Sequence, residues 1–162
     1  MTLADTAKAI IDDARYLTLG TAGESGTPWA APVFFAHAGY RDFLWISAPE
    51  AAHSRNLAVR PEASIVIFDS GVRPGEGQAV YMAAEAGEEG DLESWLRHYP
   101  GDPARGARSF PAERLRAPAP YRLYRARVTR HWTLCPREPG LPCAPHGRAF
   151  DHRIEVHLPG SG

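Results

Sequence analysis

The spacing of apolar and polar residues predicts a mainly β protein that begins with one helix. Residues 2–14 carry apolar side chains at helical spacing, and Thr2 or Asp5 would cap this helix at its start. Further along, β-branched and aromatic runs bounded by turn residues predict strands. These strands are expected at residues 16–21, 29–36, 43–47, 63–69, 78–85, 121–134 and 153–158.

Three of these segments predict more detail. Residues 29–36 are nearly all apolar, which predicts a strand covered on both faces and paired in a hairpin with residues 16–21. Residues 121–134 alternate apolar residues with arginines, which predicts one solvent-facing side and a bulge near Arg125. Short helices are expected at residues 91–99 and 110–115. This pattern favours an antiparallel barrel or sandwich of six or seven strands with few, short helices.

A polar helix is expected at residues 47–61, between two of the apolar strands. Ser47 would be its N-cap, with Pro49 in the first turn and Glu50 placed to complete a capping box. The helix carries four polar residues in succession, and they would form either an anion or cofactor site or an ordinary wet surface: His53, Ser54, Arg55 and Asn56.

Helix geometry limits which of these four residues act together. At about 100° per residue, His53 and Arg55 lie about 200° apart, so both cannot point at one spot. We expect His53 to be the structural or solvent-facing one of the two. Asn56 is expected to cap backbone groups near the end of the helix.

Composition and charge narrow the class of protein. The chain has 162 residues, 44% of them hydrophobic, which predicts a single domain over residues 1–162 with an irregular tail at 136–162. Its formal net charge of −1 provides no electrostatic footprint for nucleic acid or an anionic membrane. Neither a run of roughly 20 apolar residues nor a secretory leader stands out. We expect a cytoplasmic protein.

The two cysteines lie in a stretch rich in proline and glycine. His131, Cys135, Cys143 and His146 would in principle offer four zinc ligands. Their spacing is not one of the standard zinc patterns, so we expect no metal and two ordinary thiols, with a disulfide as a further alternative. No Ser/His/Asp triad, paired-carboxylate motif or phosphate-binding glycine loop stands out.

Several short motifs follow one another in order within residues 3–88. They are Thr18-Leu-Gly-Thr21, Gly26-x-Pro28, Ala31-Pro-Val-Phe-Phe35, His53-Ser-Arg-Asn-Leu57 with Arg60-Pro61, and Gln78-Ala-Val80. In this order they resemble the pyridoxamine 5'-phosphate oxidase-like family of flavin-binding split barrels, and residues 121–132 resemble it more weakly. The resemblance implies a mainly β fold, an antiparallel split β-barrel of six or seven strands.

The resemblance also implies a homodimer that binds a flavin, most often FMN, at the subunit interface. Ser47, Ser54 and Arg55 would then contact the phosphate, since a guanidinium matches two phosphate oxygens and a hydroxyl donates a further hydrogen bond. Backbone groups of the second strand, the amide of Gln78 and the ring of Trp132 would lie near the flavin. The full set of expected cofactor-binding residues is Trp29, Ala30, Ala31, Pro32, Val33, Ser47, His53, Ser54, Arg55, Asn56, Gln78 and Trp132.

The chain departs from the family in two places. Pyridoxamine phosphate oxidases proper carry an arginine and a lysine on the second strand, whereas residues 31–36 here contain no cation. Residues 148–153 only loosely resemble the family's substrate-binding terminus, so a vitamin B6 substrate is not expected. The main hypothesis is therefore an FMN-dependent oxidoreductase that transfers hydride to or from an unidentified small substrate, with no catalytic side chain assigned.

Other cofactors and roles stay open. F420 or haem would replace FMN in some relatives of this barrel, and a haem protein would need an axial histidine, for which His53 and His131 are the candidates. A carrier of flavin, F420 or haem without turnover is one alternative. A dimeric barrel without a cofactor is another, because the second strand lacks its cation.

Overall fold

A computed structural model describes residues 1–159 of the chain. Helices α1 to α3 span Leu3–Asp13, Ala52–Val59 and Leu92–Trp95, and short 3₁₀ helices span Leu96–His98, Pro103–Arg105 and Ala112–Leu115. Strands β1 to β8 span Tyr16–Ala22, Pro28–Phe34, Ala36–Ala38, Asp42–Ser47, Glu62–Phe68, Ala79–Glu88, Arg122–Leu134 and Arg153–Val156.

All eight strands join one antiparallel sheet in the order β2-β1-β5-β6-β7-β4-β3, with β8 paired to β7. The long strand β7 pairs with β6 on one edge, and on its other edge with β4 near its start and β8 near its end. The mainly β, antiparallel prediction is confirmed. The strand count is eight rather than six or seven because residues 36–38 form a separate short strand, β3, that pairs with β4.

The first helix forms as its sequence predicts. The Thr2 hydroxyl accepts the Asp5 N–H at 3.1 Å, and the Asp5 carboxylate accepts the Thr2 N–H at 2.9 Å, which completes a capping box. Ala7 and Ile11, four residues apart, are fully buried against the concave face of the sheet. That face carries the main core, since alternate residues such as Leu17 and Leu19 on β1 point inward.

Two strand details differ from the prediction. The segment expected to be a strand covered on both faces is instead the edge strand β2, in which only Val33 is buried, and the chain re-enters the sheet as β3. The bulge lies at Thr129 rather than near Arg125, because Ala83 pairs with Arg130 while Ala84 pairs with Val128.

The later part of the chain is more regular than a plain tail. The strand expected at residues 153–158 is present as β8, while residues 135–152 contain neither helix nor strand. The end of the predicted irregular tail, residues 160–162, lies outside the described residues. Within residues 1–159, none of the helices combines the length and the apolar character needed to cross a membrane.

Candidate functional site

The start of helix α2 differs from its prediction. Ser47 ends strand β4, and a tight turn follows in which the Ala51 N–H donates to the Ala48 carbonyl at 3.1 Å. The helix then begins at Ala52, and its N-cap residue Ala51 makes no side-chain cap. The Ser47 N-cap and the capping box with Glu50 were therefore wrong, because strand β4 extends through the serine.

Ser47 and His53 are hydrogen-bonded to each other instead. The Ser47 Oγ lies 2.8 Å from the His53 Nε2. His53 is half-buried, and this burial lowers its pKa below the usual histidine value. The strand end and the helix thus form one polar pair, and the Nε2 of His53 is already occupied.

The next two residues of α2 point in different directions. Ser54 is buried, and its Oγ has no hydrogen-bond partner within the described residues. Arg55 is exposed, and its guanidinium donates to the Glu50 carbonyl. Most of the Arg55 donors therefore remain available to an anion, whereas the Ser54 hydroxyl is enclosed by protein.

Asn56 and Gln78 are engaged in bonds to neighbouring strands. Asn56 was expected to cap the helix end. Its Nδ2 instead donates to Thr21 Oγ1 at 3.0 Å, so this side chain connects α2 to β1. Gln78 lies just before β6, and its amide bonds the backbone of Leu134 at the end of β7. Both amides contribute to the cohesion of the barrel.

A row of small side chains crosses the outer face of the sheet, the face opposite the main core. Registers pair Gly20 with Ala30 and with Ser64, and Ser64 with Ala83. Successive residues of a strand point to opposite faces, and the inward neighbours Leu19, Ile65 and Met82 are buried. We call these four outward residues the trough: Ala30, Gly20, Ser64 and Ala83.

Larger side chains form one wall of the trough. In the next row, Thr18 pairs with Val66, Val66 with Tyr81, and Tyr81 with Trp132. The Arg153 guanidinium lies 3.9 Å from the centre of the Tyr81 ring. Trp132 is half-buried in this wall, and Arg130 lies 4.7 Å from the centre of its ring.

Two adjoining cavities lie along the trough and share Gly20, Ala30 and Ser64. One, of about 490 Å³, is bounded by Tyr81, Trp132 and Arg153. The other, of about 680 Å³, extends to Trp29 and Arg60. The trough floor carries only small side chains, and a Cβ on Gly20 would lie 2.5 Å from Ser64 Oγ, so a larger residue there would displace the Ser64 hydroxyl. The space suits a flat ligand with anionic groups.

The open edge of β2 borders the trough. Pro28 and Pro32 lack an N–H, so in a paired edge strand their nitrogens face away from β1. Ala30 lies midway between them with the same orientation, so its N–H and carbonyl point to the open edge. Of the expected second-strand residues Trp29, Ala30, Ala31, Pro32 and Val33, Ala30 is the one that presents a free donor and acceptor beside the trough.

A third and larger cleft lies at the far end of the outer face. It has a volume of about 820 Å³ and is bounded by Val66, Tyr81, Gln78, Leu134 and the segment 135–140. Val66 and Tyr81 also bound the trough cavity, so the two spaces adjoin. The wall of this cleft is provided by the irregular segment that follows β7.

The arginines of β7 are all paired with carboxylates. Arg122 lies 3.5 Å from Glu88, Arg127 3.9 Å from Glu85, and Arg130 2.8 Å from Glu155. Arg125 bonds both Asp42 and Glu89, at 2.8 and 2.7 Å. This pairing is that of an ordinary polar face rather than of an anion-binding surface.

The cysteines and histidines fall into two separate groups. His131 is buried in the barrel, and its Nε2 lies 2.7 Å from the Tyr40 carbonyl oxygen. The two free cysteines, Cys135 and Cys143, lie close to His146 and His152 outside the barrel core. His131 was expected to lie with the cysteines; His152 occupies that place instead.

The trough and His152 were not found from the sequence. Gly20, Ser64 and Ala83 are unremarkable within their strands, and only the pairing register aligns them with Ala30. His152 carried a weak signal, since it is a second histidine six residues after His146 in the same irregular segment.

Comparisons with known proteins agree with this fold. The family model of pyridoxamine 5'-phosphate oxidase matches residues 3–135. A haem-binding protein from Mycobacterium smegmatis superposes with a TM-score of 0.65 at 24% identity, covering 96% of this chain and 58% of that one. This chain therefore spans little more than half the length of the mycobacterial protein.

Two further structures are similar over most of their own length. HutZ, the haem storage protein from Vibrio cholerae, has a TM-score of 0.60 at 20% identity and covers 80% of this chain and 92% of its own. General Stress Protein 26 from Bacillus anthracis has a TM-score of 0.61 at 15% identity, with 85% and 97% covered. Identities this low establish the fold alone, and the split-barrel prediction is confirmed. No curated protein sequence matches the chain significantly.

Proposed function

Because this chain belongs to the pyridoxamine 5'-phosphate oxidase family, we propose that it is a flavin-dependent oxidoreductase that binds FMN in the trough between two copies of the chain. The observation that carries this proposal is the trough itself. Ala30, Gly20, Ser64 and Ala83 leave a flat floor that a planar ring would cover, with aromatic side chains along one wall. Cofactor sites of this kind are mostly apolar, with a few polar groups that fix orientation.

The residues around the trough fit the polar parts of FMN. The free N–H and carbonyl of Ala30 match the alternating donors and acceptors on the edge of a flavin ring. Arg60 bounds one end of the trough and forms no salt bridge within the described residues, so it is available to a phosphate. Arg55, on helix α2 just before Arg60, remains a second candidate, as expected from the sequence.

A second copy of the chain would cover the outer face. Tyr16 on β1 and Phe68 on β5 point outward and are 62% and 54% exposed in the single chain. Large apolar side chains grouped on one face of a protein are characteristic of an interface. Burial beneath a partner would exclude water from the ring and fix the orientation of the Ala30 groups.

FMN, when bound, supplies hydride transfer with a small conjugated substrate. The chain's own contribution is to hold the ring flat, bind its phosphate and limit access. No histidine or carboxylate of the described residues lies on the trough floor, so no general acid or base is assigned there. The adjoining cleft of about 820 Å³ is the space in which a small substrate would approach the ring edge.

Haem is the second candidate, supported by the haem-binding and haem-storage proteins among the structural neighbours. A haem site normally supplies an axial ligand such as histidine or cysteine. Neither residue type bounds the two trough cavities within residues 1–159, and the Nε2 atoms of His53 and His131 are both hydrogen-bonded elsewhere. The trough cavities therefore offer haem no histidine or cysteine ligand, which favours FMN.

Titration of the purified protein with FMN, F420 and haem in parallel tests the proposal. We expect FMN fluorescence to be quenched at one FMN per chain, and light scattering to report a dimer. Saturable haem binding with a Soret band and no FMN binding would replace the flavin by haem. A protein that binds none of the three would be a cofactor-free barrel, and the proposal would fail.

A further inference from the structure

Four potential metal ligands converge where the segment after β7 folds back on itself. They are Cys135, Cys143, His146 and His152, and their ligand atoms all lie within 4.8 Å of one another. The family match ends at Cys135, so three of the four lie beyond the part of the chain that defines the family. The cluster is also separate from the trough, where FMN binding is proposed.

Four of the six distances between ligand atoms of the cluster are close to those of a tetrahedral site. With zinc bonds of about 2.3 Å to sulfur and 2.0–2.1 Å to nitrogen, a regular tetrahedron separates sulfur and nitrogen by about 3.6 Å and two nitrogens by about 3.3 Å. His146 Nδ1 lies 3.6 Å from Cys135 Sγ and 3.7 Å from Cys143 Sγ, and His152 Nε2 lies 3.8 Å from Cys143 Sγ. The two ring nitrogens are 3.1 Å apart.

A hydrogen bond outside the cluster orients one of the histidines. His152 Nδ1 lies 3.1 Å from the Phe150 carbonyl oxygen, so Nδ1 carries the proton and donates it there. The lone pair of Nε2 is then left to point into the cluster. Metal-binding histidines usually donate their second ring nitrogen to a carbonyl or carboxylate in this way.

The backbone around the cluster is ordered without regular secondary structure. The Cys135 N–H donates to the His152 carbonyl at 2.8 Å, and the Cys143 N–H to the Arg148 carbonyl at 2.9 Å. Gly140 and Gly147 have positive φ angles, +79° and +64°, and allow the two tight turns that bring the ligands together. Long irregular segments of this kind are uncommon in compact domains unless a function or a cross-link holds them.

Burial of the cysteines has no other evident cause. Cys143 is 1% exposed and Cys135 5%, yet neither belongs to the two hydrophobic clusters of the described residues. Each sulfur lies within 3.8 Å of a histidine ring nitrogen of the same segment, 135–152. A metal ion at the centre of the cluster would bind all four side chains and would account for the burial of the cysteines.

We propose that Cys135, Cys143, His146 and His152 bind one Zn²⁺ ion as a closed, structural site. Two thiolates and two imidazoles in tetrahedral positions are the donor set that zinc prefers. All four positions are filled by protein, which leaves none for a water or substrate molecule. The ion cross-links the end of β7 to the start of β8, and it fixes the wall formed by residues 135–140 beside the large cleft.

Metal analysis of the full chain, purified with zinc and then desalted, is the first test. We expect one zinc per chain. Replacement by Co²⁺ is expected to produce the intense visible bands of tetrahedral cobalt and an ultraviolet thiolate-to-cobalt transition, which report both geometry and sulfur ligation. After chelation, hydrogen exchange should rise in residues 135–156 while β1, β5 and β6 stay protected.

Two ligand variants and one control separate this site from casual binding. His146→Gln changes an exposed residue and should not prevent folding, and Cys143→Ser removes a buried sulfur. Each should weaken zinc binding by more than the roughly 10–100-fold that loss of an outer-shell partner costs. The control His157→Gln, at an exposed histidine beyond β8, should bind zinc as the unchanged chain does.

Three results would overturn the proposal. The first is a zinc-supplemented protein with no stoichiometric metal and two reactive thiols. The second is a Cys135–Cys143 disulfide detected by mass spectrometry. Equal zinc binding by His146→Gln and by His157→Gln would show that the ion binds elsewhere. None of these outcomes depends on flavin binding, so they leave the proposed function untouched.

Discussion

The side-chain amide of Gln78 bonds both backbone groups of Leu134, donating from Nε2 to the carbonyl at 3.0 Å and accepting at Oε1 from the N–H at 2.8 Å. Oε1 also accepts the Ala79 N–H at 3.0 Å. The last regular backbone pair between β6 and β7 is Val80 with Thr133. The amide therefore continues the hydrogen bonding between β6 and β7 by one residue. One N–H of its Nε2 remains for a ligand.

Gln78→Ala should lower the free energy of unfolding by about 1–3 kcal/mol, because the Leu134 backbone groups lose their partners. Chemical denaturation measures this change, with Glu76→Ala in the exposed loop before β6 as the control. From the sequence, Gln78 was expected to contact the cofactor. Unchanged stability combined with lost FMN affinity would support that assignment over a structural role.

Arg125 joins three elements and should be more sensitive to substitution than the other arginines of β7. It bonds Asp42 on β4 and Glu89 beyond β6, and its guanidinium lies 4.3 Å from the centre of the Trp95 ring. Arg125→Met retains much of the apolar stem but leaves two carboxylates unpaired. We expect a loss of about 1.5–3 kcal/mol, as for hydrogen bonds to charged groups. Thermal denaturation, compared with Arg127→Met, measures it.

Near-equal losses in these two variants would contradict the expectation. Arg127 is exposed and lies 3.9 Å from an exposed glutamate, which is a pair of little energetic value. The two residues lie two positions apart on the same strand. The difference between the two variants therefore measures the loss of the carboxylate pairs, and not the effect of placing a methionine on β7.

Local signals in the sequence were sufficient for most of the strands and for α1. Thr2 and Asp5 are only three residues apart in the chain, and β1, β5 and β6 carry their own alternation of apolar residues. The start of α2 was predicted incorrectly because Ser47 has two possible local roles. Pairing of β4 with β7 through Ser47 and Arg122 selects the strand, and this contact joins residues far apart in the sequence.

The candidate sites depended on contacts that no local pattern encodes. Ala30, Gly20, Ser64 and Ala83 form a trough only through the registers of four strands. The cysteine cluster includes His152 rather than His131 because β7 buries His131 against Tyr40 and the chain then turns back at β8. Spacing alone therefore argued against a metal, whereas the folded geometry points to one.

Acid should weaken the fold through its buried and half-buried histidines. Burial lowers the pKa of His131 below the ordinary value of 6.5, partly offset by its bond to the Tyr40 carbonyl, and burial also lowers the pKa values of His37 and His53. As the pH falls below 6.5, these histidines bind more protons in the unfolded chain than in the folded chain. The free energy of unfolding should therefore fall as the pH drops through this range and recover above it.

His131→Gln should reduce this pH dependence. Glutamine can still donate an N–H to the Tyr40 carbonyl but does not titrate, so the decline in stability below pH 6.5 should be shallower. Urea denaturation at a series of pH values measures the slope. The control is His98→Gln, at a half-buried histidine that ends the 3₁₀ helix after α3. An equally reduced slope in both variants would show that His131 is not the cause.

The phosphate of FMN distinguishes the two exposed arginines of the α2 region. Arg60 bounds a trough cavity, whereas Arg55 donates to the Glu50 carbonyl at the other end of the helix. Loss of the phosphate-binding cation should weaken FMN binding by about 1.5–3 kcal/mol. We expect Arg60→Ala to show this loss in a fluorescence titration, and riboflavin, which has no phosphate, to bind the variant and the unchanged chain alike.

Arg55→Ala is the matched comparison. If it weakens FMN binding and Arg60→Ala does not, the phosphate lies at the Ser47 end of α2, as the sequence analysis expected. If neither variant changes FMN affinity, neither cation binds the phosphate, and the placement of FMN in the trough loses its electrostatic support.

Filling the trough should remove cofactor binding without unfolding the protein. Ala83 points outward between Ser64 and Arg130, so a leucine at this position would occupy the space above the floor rather than the core. Ala83→Leu should therefore abolish FMN quenching while the midpoint of thermal unfolding stays close to that of the unchanged chain. Ala58→Leu makes the same chemical change at an exposed position on α2 and should retain FMN binding. Full FMN affinity in Ala83→Leu would place the cofactor away from the trough, since a planar ring and a leucine cannot share that floor.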